Sequence, residues 1–308
     1  MKFVKSIPMA ICGLSLALAA LGNLLGQVNQ PGLRVTCGVL SAAVLILFLL
    51  KLIFHFPHAN AEMKTPIPLS VLPTSTMALM LLSVYVKDYV NGNAALVLWY
   101  SSVAVHVFIM LLFAKRFIIG FKLGTVFPSW FIPFVGIVVA SVTAPAMNAR
   151  AIGQIIFYIG FALYFAALVL IVWRMLKVKL FPEPARPTIA IFTAPMSLCV
   201  VGYFQSFPPD QRNTALIYLM LGIAVISYLY VSVMMVFLLR IKFYPTYAAF
   251  TFPYVISALA FRAGNNFLLA QGYGFLAPLA SISLWAAVAA VLFVAVHYVR
   301  YFIFWLKF

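Results

Sequence analysis

Acidic side chains are nearly absent from this chain of 308 residues, which has only four aspartates and glutamates. All of them lie in predicted loops or at the ends of apolar stretches: Glu62, Asp88, Glu183 and Asp210. A cation channel is expected to carry a ring of carboxylates or a carbonyl filter motif, and a proton-coupled pump usually needs a carboxylate within the membrane. The scarcity of acidic residues therefore argues against both classes of protein.

Catalytic and metal-binding patterns are missing as well. The sequence has neither an HExxH pattern nor a nucleophile elbow, and no apolar stretch contains the carboxylates of an intramembrane aspartyl site. Three cysteines, Cys12, Cys37 and Cys199, lack the spacing of metal ligands and are expected to be small buried apolar residues. We therefore expect no enzymatic activity, no metal site and no other cofactor.

Charged residues of either sign make up only 8% of the chain, whereas hydrophobic residues make up 66%. The mean hydropathy of +1.13 excludes an ordinary soluble domain. A helix needs about 20 apolar residues to cross the hydrocarbon core of a bilayer. Runs of this kind predict an all-α membrane protein with ten spans, near residues 7–26, 34–54, 67–87, 93–114, 128–147, 150–175, 187–206, 213–239, 246–270 and 275–304.

The basic residues, which give a net charge of +16, are distributed unevenly between the predicted loops. Fifteen of the 20 lysines and arginines fall on one side of the ten-span topology. The other side has Arg34, Lys87, Arg150, Arg212 and Arg262. The positive-inside rule then predicts that both termini are cytoplasmic, so the charge is assigned to topology rather than to nucleic-acid binding.

Prolines recur at regular intervals within the apolar stretches. Pro8, Pro73, Pro133, Pro195 and Pro253 are separated by 65, 60, 62 and 58 residues. Such a period predicts a helical hairpin repeated five times with quasi-fivefold symmetry, in a single domain covering residues 1–308. The predicted hairpins lie near residues 7–54, 67–114, 128–175, 187–239 and 246–304.

Each of these prolines removes a helical hydrogen bond, and a bilayer tolerates the freed groups only where protein or a water-filled cavity receives them. We therefore expect the odd-numbered spans to surround a central pore, with the even-numbered spans outside. Thr74, Ser197 and Thr251 lie beside the prolines, can recapture freed carbonyls and are expected to line the pore with them. For any single proline, a kink that only shapes packing is the simpler interpretation.

The direction of the odd-numbered spans favours an anion in this pore. All of them start on the cytoplasmic side in the predicted topology, and the amino terminus of a helix carries a partial positive charge.

Among the four histidines, only His106 falls in the middle of a predicted span. A buried structural histidine is a commoner role than a proton relay at such a position.

Three short motifs resemble a known family: Leu72-Pro73-Thr74-Ser75-Thr76-Met77, Ala194-Pro195-Met196 and Ala249-Phe250-Thr251-Phe252-Pro253. The resemblance is to the tellurite-resistance and dicarboxylate transporter (TehA) family, which is related to the slow-type anion channels of plants. It implies five hairpins around a pore, a homotrimer with one pore per subunit, and a phenylalanine gate at Phe252. Phe250, two residues away, would point elsewhere.

Three functions remain open at this stage. The first is a passive channel for small inorganic or organic anions in the bacterial inner membrane, gated by Phe252. The second is a proton-coupled transporter of C4-dicarboxylates such as malate, for which His106 is the candidate proton carrier. The third is a receptor or scaffold that conducts nothing.

Arg262, near the outer end of the ninth span, is a candidate for attracting anions into an outer vestibule. A terminal arginine more often extends to the membrane interface.

Overall fold

The computed structural model describes residues 2–178 and 181–306. Within these ranges the chain forms helices and no strands, which confirms the predicted all-α class. Lys179 and Lys307, which the charge asymmetry counts, lie outside the described residues, as do both ends of the predicted 1–308 domain.

Helices occur in all ten predicted intervals. The α-helices are α1 (Lys2–Ser6), α2 (Ile11–Gly26), α3 (Pro31–Phe54), α4 (Phe56–Glu62), α5 (Pro66–Val71), α6 (Pro73–Tyr89), α7 (Gly92–Phe117), α8 (Phe131–Val135), α9 (Val138–Thr143), α10 (Arg150–Lys177), α11 (Ala194–Ser206), α12 (Thr214–Leu238), α13 (Phe252–Leu269) and α14 (Ala277–Leu306). Six 3-10 segments join them, at Leu123–Thr125, Pro128–Trp130, Ala144–Met147, Glu183–Thr193, Pro209–Gln211 and Pro245–Phe250.

The five prolines coincide with the places where the odd-numbered spans change geometry. Pro8 lies between α1 and α2, and Pro133 lies in α8, which is bent by 47° relative to α9. Pro73, Pro195 and Pro253 occupy the first or second residue of α6, α11 and α13. Proline is tolerated there because the first turn of a helix has no carbonyl partner for its N–H groups.

Among the described residues, seven helices are long and apolar enough to cross a membrane, or eight if the bent pair of α8 and α9 is one span. The predicted number was ten. The difference arises in the first and ninth predicted spans. The break at Pro8 leaves α2 with only 16 residues, whereas α13 has 18 residues but contains Arg262, Asn265 and Asn266, which make it less apolar. The all-helical membrane architecture therefore holds, whereas the count of ten remains a prediction.

Burial divides the long helices into two groups. In the most apolar window of each span, 78% of residues are buried for Pro66–Tyr89 and 89% for Glu183–Ser206. The corresponding fractions are only 22–33% for α3, α7, α10, α12 and α14, whose apolar side chains point outward. Such outward apolar faces suit contact with lipid tails.

The buried helices pack in a closed ring. Along this ring α2 contacts α6, α6 contacts α9, α9 contacts α11, α11 contacts α13, and α13 contacts α2 again. Each ring helix also packs against the long helix that follows it in the chain: α3, α7, α10, α12 and α14. The interior of the ring is therefore bounded by the five segments that contain the regularly spaced prolines.

A buried lysine stabilises the first proline break, at Pro8. Lys51 Nζ donates to the Ile7 carbonyl at 2.5 Å and to the Glu62 carboxylate at 2.7 and 2.9 Å, and its side chain is only 1% exposed. The Ile7 carbonyl needs this partner because the N–H of Ile11 bonds instead to the Pro8 carbonyl at 3.2 Å. Lys51 therefore joins the broken start of the first predicted span to α3 and α4.

Replacing Lys51 with methionine is expected to lower the free energy of unfolding by about 2 kcal/mol, because both the Ile7 carbonyl and the Glu62 carboxylate would lose their cation. The effect is smaller than for a fully buried ion pair because the Glu62 side chain is 29% exposed. Unfolding in detergent measures the difference. Lys64→Met, at an exposed position close to this ion pair, serves as the control. Equal stability of the two variants would contradict a structural role for Lys51.

Candidate functional site

Two cavities lie along the interior of the helix ring. The amino-end cavity, about 60 Å³, is lined by the leading parts of the proline-broken segments. The carboxyl-end cavity, about 410 Å³, is lined by their trailing parts. A single water needs about 10–15 Å³ of such space, so the amino-end cavity has room for only a few waters and the carboxyl-end cavity for a hydrated ion.

The two cavities differ in chemistry. Apolar side chains dominate the amino-end cavity, and none of the described residues in its wall is charged. The carboxyl-end cavity also has amide and hydroxyl groups and one guanidinium, contributed by Asn23, Gln27, Arg34, Thr143 and Gln205. No aspartate, glutamate or histidine belongs to either wall among the described residues.

Phe252 lies at the boundary between the cavities. It is the first residue of α13, its side chain is 7% exposed, and it contributes to both cavity walls. Leu198 of α11 also contributes to both walls. Phe250, in contrast, is fully buried away from the cavities, with its ring centroid 4.7 Å from that of Tyr247.

The other sequence-predicted residues are divided between the cavity wall and the packing behind it. Thr74, Pro195 and Pro253 line the amino-end cavity. Five predicted residues are outside the walls of both central cavities: Pro8, Pro73, Pro133, Ser197 and Thr251.

The three predicted hydroxyl residues all donate to carbonyls of their own segments. Thr74 Oγ1 donates to the Val71 carbonyl at 2.7 Å, Ser197 Oγ to the Thr193 carbonyl at 2.8 Å, and Thr251 Oγ1 to the Ala248 carbonyl at 2.6 Å. Their hydrogens are therefore occupied by the backbone at the breaks. This explains why a wall containing Thr74 offers an ion few free donors.

Helix amino termini supply the polarity that the amino-end cavity otherwise lacks. The helices α6, α11 and α13 begin at its wall, where Thr74, Ala194 and Pro253 line the cavity. Each of these helices follows a shorter helical segment with at most one residue between them, so only part of the half positive charge of an isolated helix amino terminus acts at the cavity. An anion in the cavity is stabilised by this arrangement, and a cation is destabilised.

Arg262 lies in neither of the two central walls. It lines a separate cavity of about 140 Å³ beside α14, and its Nη2 donates to the Gln27 carbonyl at 2.8 Å. The cation in the carboxyl-end cavity is Arg34, whose Nη2 lies 2.5 Å from Asp88 Oδ2. In the sequence, Arg34 contributes only to the charge asymmetry that predicts topology, because its distance from the central cavity depends on how α3 packs.

His106 of α7 is fully buried and contributes to neither central cavity. Its Nδ1 lies 2.8 Å from Thr76 Oγ1, and its Nε2 lies 3.3 Å from the Pro133 carbonyl. The imidazole therefore bridges two proline breaks, that of α6 and that of α8. This position matches the structural role considered for His106.

Leu198 and Arg34 were not identified from the sequence as site residues. A single leucine on an apolar helix resembles every other leucine, so only the packing of α11 reveals that Leu198 separates two cavities. Among the described residues, no group of three or more histidine, cysteine, aspartate or glutamate side chains could hold a metal ion.

A family model described as voltage-dependent anion channel (SLAC1) matches residues 4–299 of the chain. No curated protein matches the chain. The family match covers all of the helices that line the two central cavities.

Replacing His106 with leucine is expected to lower the free energy of unfolding by about 1–3 kcal/mol, because the Thr76 hydroxyl and the Pro133 carbonyl would lose a buried partner. Unfolding in detergent tests this, with His58→Leu, on the largely exposed α4, as the control. If the His106 variant were as stable as the unmodified protein but lost pH-driven uptake of malate into liposomes, His106 would be a proton carrier instead.

Proposed function

The chain belongs to the SLAC1 family of voltage-dependent anion channels, and we propose that it conducts small monovalent anions passively through a central pore closed by Phe252. Membership of the family and the apolar helices make it an integral membrane protein of the channel and transporter class rather than an enzyme. The observation that carries the proposal is the position of Phe252 between two cavities on one axis of the helix ring.

The pore architecture proposed here is the one expected from the proline spacing: ten spans arranged as five hairpins with quasi-fivefold symmetry, in one domain. The closed ring of contacts among α2, α6, α9, α11 and α13 supports it. The charge asymmetry supports cytoplasmic termini, so that the amino-end cavity opens toward the cytoplasm. We further propose assembly as a homotrimer in a bacterial inner membrane, as the family resemblance implies.

Selectivity for anions follows from the electrostatics of the two cavities. Among the described residues, the charged residue in the two walls is Arg34, whose guanidinium lies in the wall while its partner Asp88, 2.5 Å away, lies outside it, and three helix amino termini face the amino-end cavity. The constriction itself is apolar, so an ion must shed part of its hydration shell to pass. Anions that dehydrate easily, such as nitrate, are therefore expected to permeate better than strongly hydrated ones.

The proton-coupled dicarboxylate alternative requires a titratable group on the pathway. The central walls contain neither a histidine nor a carboxylate among the described residues, and His106 lies behind them. No observation favours this alternative over the passive channel.

Replacing Phe252 with alanine is expected to raise chloride or nitrate flux in liposomes by about tenfold or more, which corresponds to lowering the barrier by about 1.4 kcal/mol or more. The side chain that blocks the constriction by its size and by excluding water would be gone. The reversal potential under a salt gradient then shows whether the current is carried by anions.

Phe250→Ala is the matched control, because it removes the same side chain two residues away from a position outside both cavities. We expect it to leave flux unchanged and to lower stability. Equal flux through Phe252→Ala and the unmodified protein, with both folded, would remove Phe252 from the gate. A reversal potential of the opposite sign would reject anion selectivity.

In the Phe252→Ala background, Arg34→Gln is expected to reduce anion flux severalfold at low ionic strength. The carboxyl-end cavity would lose its cation and keep the unpaired Asp88 carboxylate at its edge. Salt above about 0.5 M should shrink the difference, because the Debye length falls to a few ångströms. Arg262→Gln is the control, since Arg262 lies outside both central walls. Equal losses in both variants would contradict a specific role for Arg34.

A further inference from the structure

We propose that the gate has two halves, Phe252 on α13 and Leu198 on α11, and that Leu198 obstructs the pathway in its own right. The inference rests on the proposed function, because it concerns the closed state of the same pore. It adds a second constricting residue on a different helix.

The geometry of the cavity walls identifies Leu198. On α2 the wall passes from Leu16 in the amino-end cavity to Ala20 in the carboxyl-end cavity, and on α6 it passes from Met77 to Leu81. No residue of α2 or α6 contributes to both walls. A helix whose residues each line only one of the two cavities borders the barrier on both sides but does not form it.

The bent pair α8 and α9 behaves in the same way. Val135 and Gly136 line the amino-end cavity, and Val139 lines the carboxyl-end cavity. On α11 and α13, in contrast, one residue each borders both spaces: Leu198 and Phe252. A side chain that touches both cavities is part of the partition between them, so these two side chains form the partition.

Both side chains are suited to closing a pore. Leu198 is 2% exposed and Phe252 is 7% exposed, although each borders two cavities, so little space remains around them. Two apolar side chains at a narrow point obstruct an ion sterically and also prevent water from filling the gap. With one of them removed, the other still occupies part of the cross-section.

Hydroxyl groups hold the two gate helices together at this level. Ser257 Oγ of α13 lies 2.9 Å from Thr193 Oγ1 and 3.0 Å from Ser197 Oγ, and all three residues are buried. Ser197 directly precedes Leu198. Because separating α11 from α13 would break these buried hydrogen bonds, we expect the gate to open by rotation of the two side chains rather than by separation of the helices.

The experiment compares chloride flux in liposomes for the unmodified protein, Leu198→Ala, Phe252→Ala and the double variant. Leu14→Ala is the matched control, because it removes the same side chain from a buried position on α2 that lines neither central cavity. We expect Leu198→Ala to raise flux about threefold or more, the double variant to exceed either single variant, and Leu14→Ala to stay within about twofold of the unmodified protein.

A variant with a larger side chain at position 198 tests the inference even if Leu198→Ala fails to fold. In the Phe252→Ala background, Leu198→Phe should restore closure and return flux toward that of the unmodified protein. Size-exclusion chromatography of each variant verifies that it is folded before flux is measured.

The outcomes separate this inference from the proposed function. If Phe252→Ala conducts anions while Leu198→Ala matches the unmodified protein and Leu198→Phe fails to restore closure, the two-sided gate is wrong and the channel stands. If no folded variant conducts, including the double variant, the proposed channel function fails as well. If Leu14→Ala raises flux as much as Leu198→Ala, the effect reflects general loosening of the packing and the inference is overturned.

Discussion

A carbonyl that loses its helical partner inside a membrane must find another partner within the protein, because lipid tails offer none. In this chain the constraint is met separately at each proline break. Lys51 binds the Ile7 carbonyl beside the first break, and His106 lies against the Pro133 carbonyl at the third. Hydroxyl groups serve the remaining breaks, at Thr74, Ser197 and Thr251. The broken helices are stable because their polar groups are satisfied within the protein.

These hydrogen bonds at the proline breaks determine which polar groups remain available to an ion in the interior. The hydroxyl hydrogens are turned to the backbone, so the amino-end cavity is apolar except for the helix amino termini that open into it. The proposed pathway favours negative charge through helix dipoles and restricts passage at an apolar constriction, as expected of a passive channel.

The two helices of the proposed gate, α11 and α13, differ from the other ring helices at their breaks. Both helices start after a 3-10 segment, and the Thr193, Ser197 and Ser257 hydroxyls link them. On α2 and α6 the wall instead runs along consecutive turns of one helix. The proposed gate side chains therefore come from two ring helices that buried hydroxyl groups join directly.

The amino-acid sequence alone determined the all-α membrane class and the family, because composition, apolar run length and short motifs are local properties. It also identified the positions where proline changes helix geometry, since the loss of an N–H group is a property of the residue itself. Only the tertiary structure decided which side chains line the cavity walls and which pack behind them. Arg262 and Arg34 have similar sequence environments, yet only Arg34 reaches the central cavity, and nothing in the sequence distinguishes Leu198 from Leu16. Those assignments depend on the rotation of each helix about its axis, which is set by contacts between segments far apart in the chain.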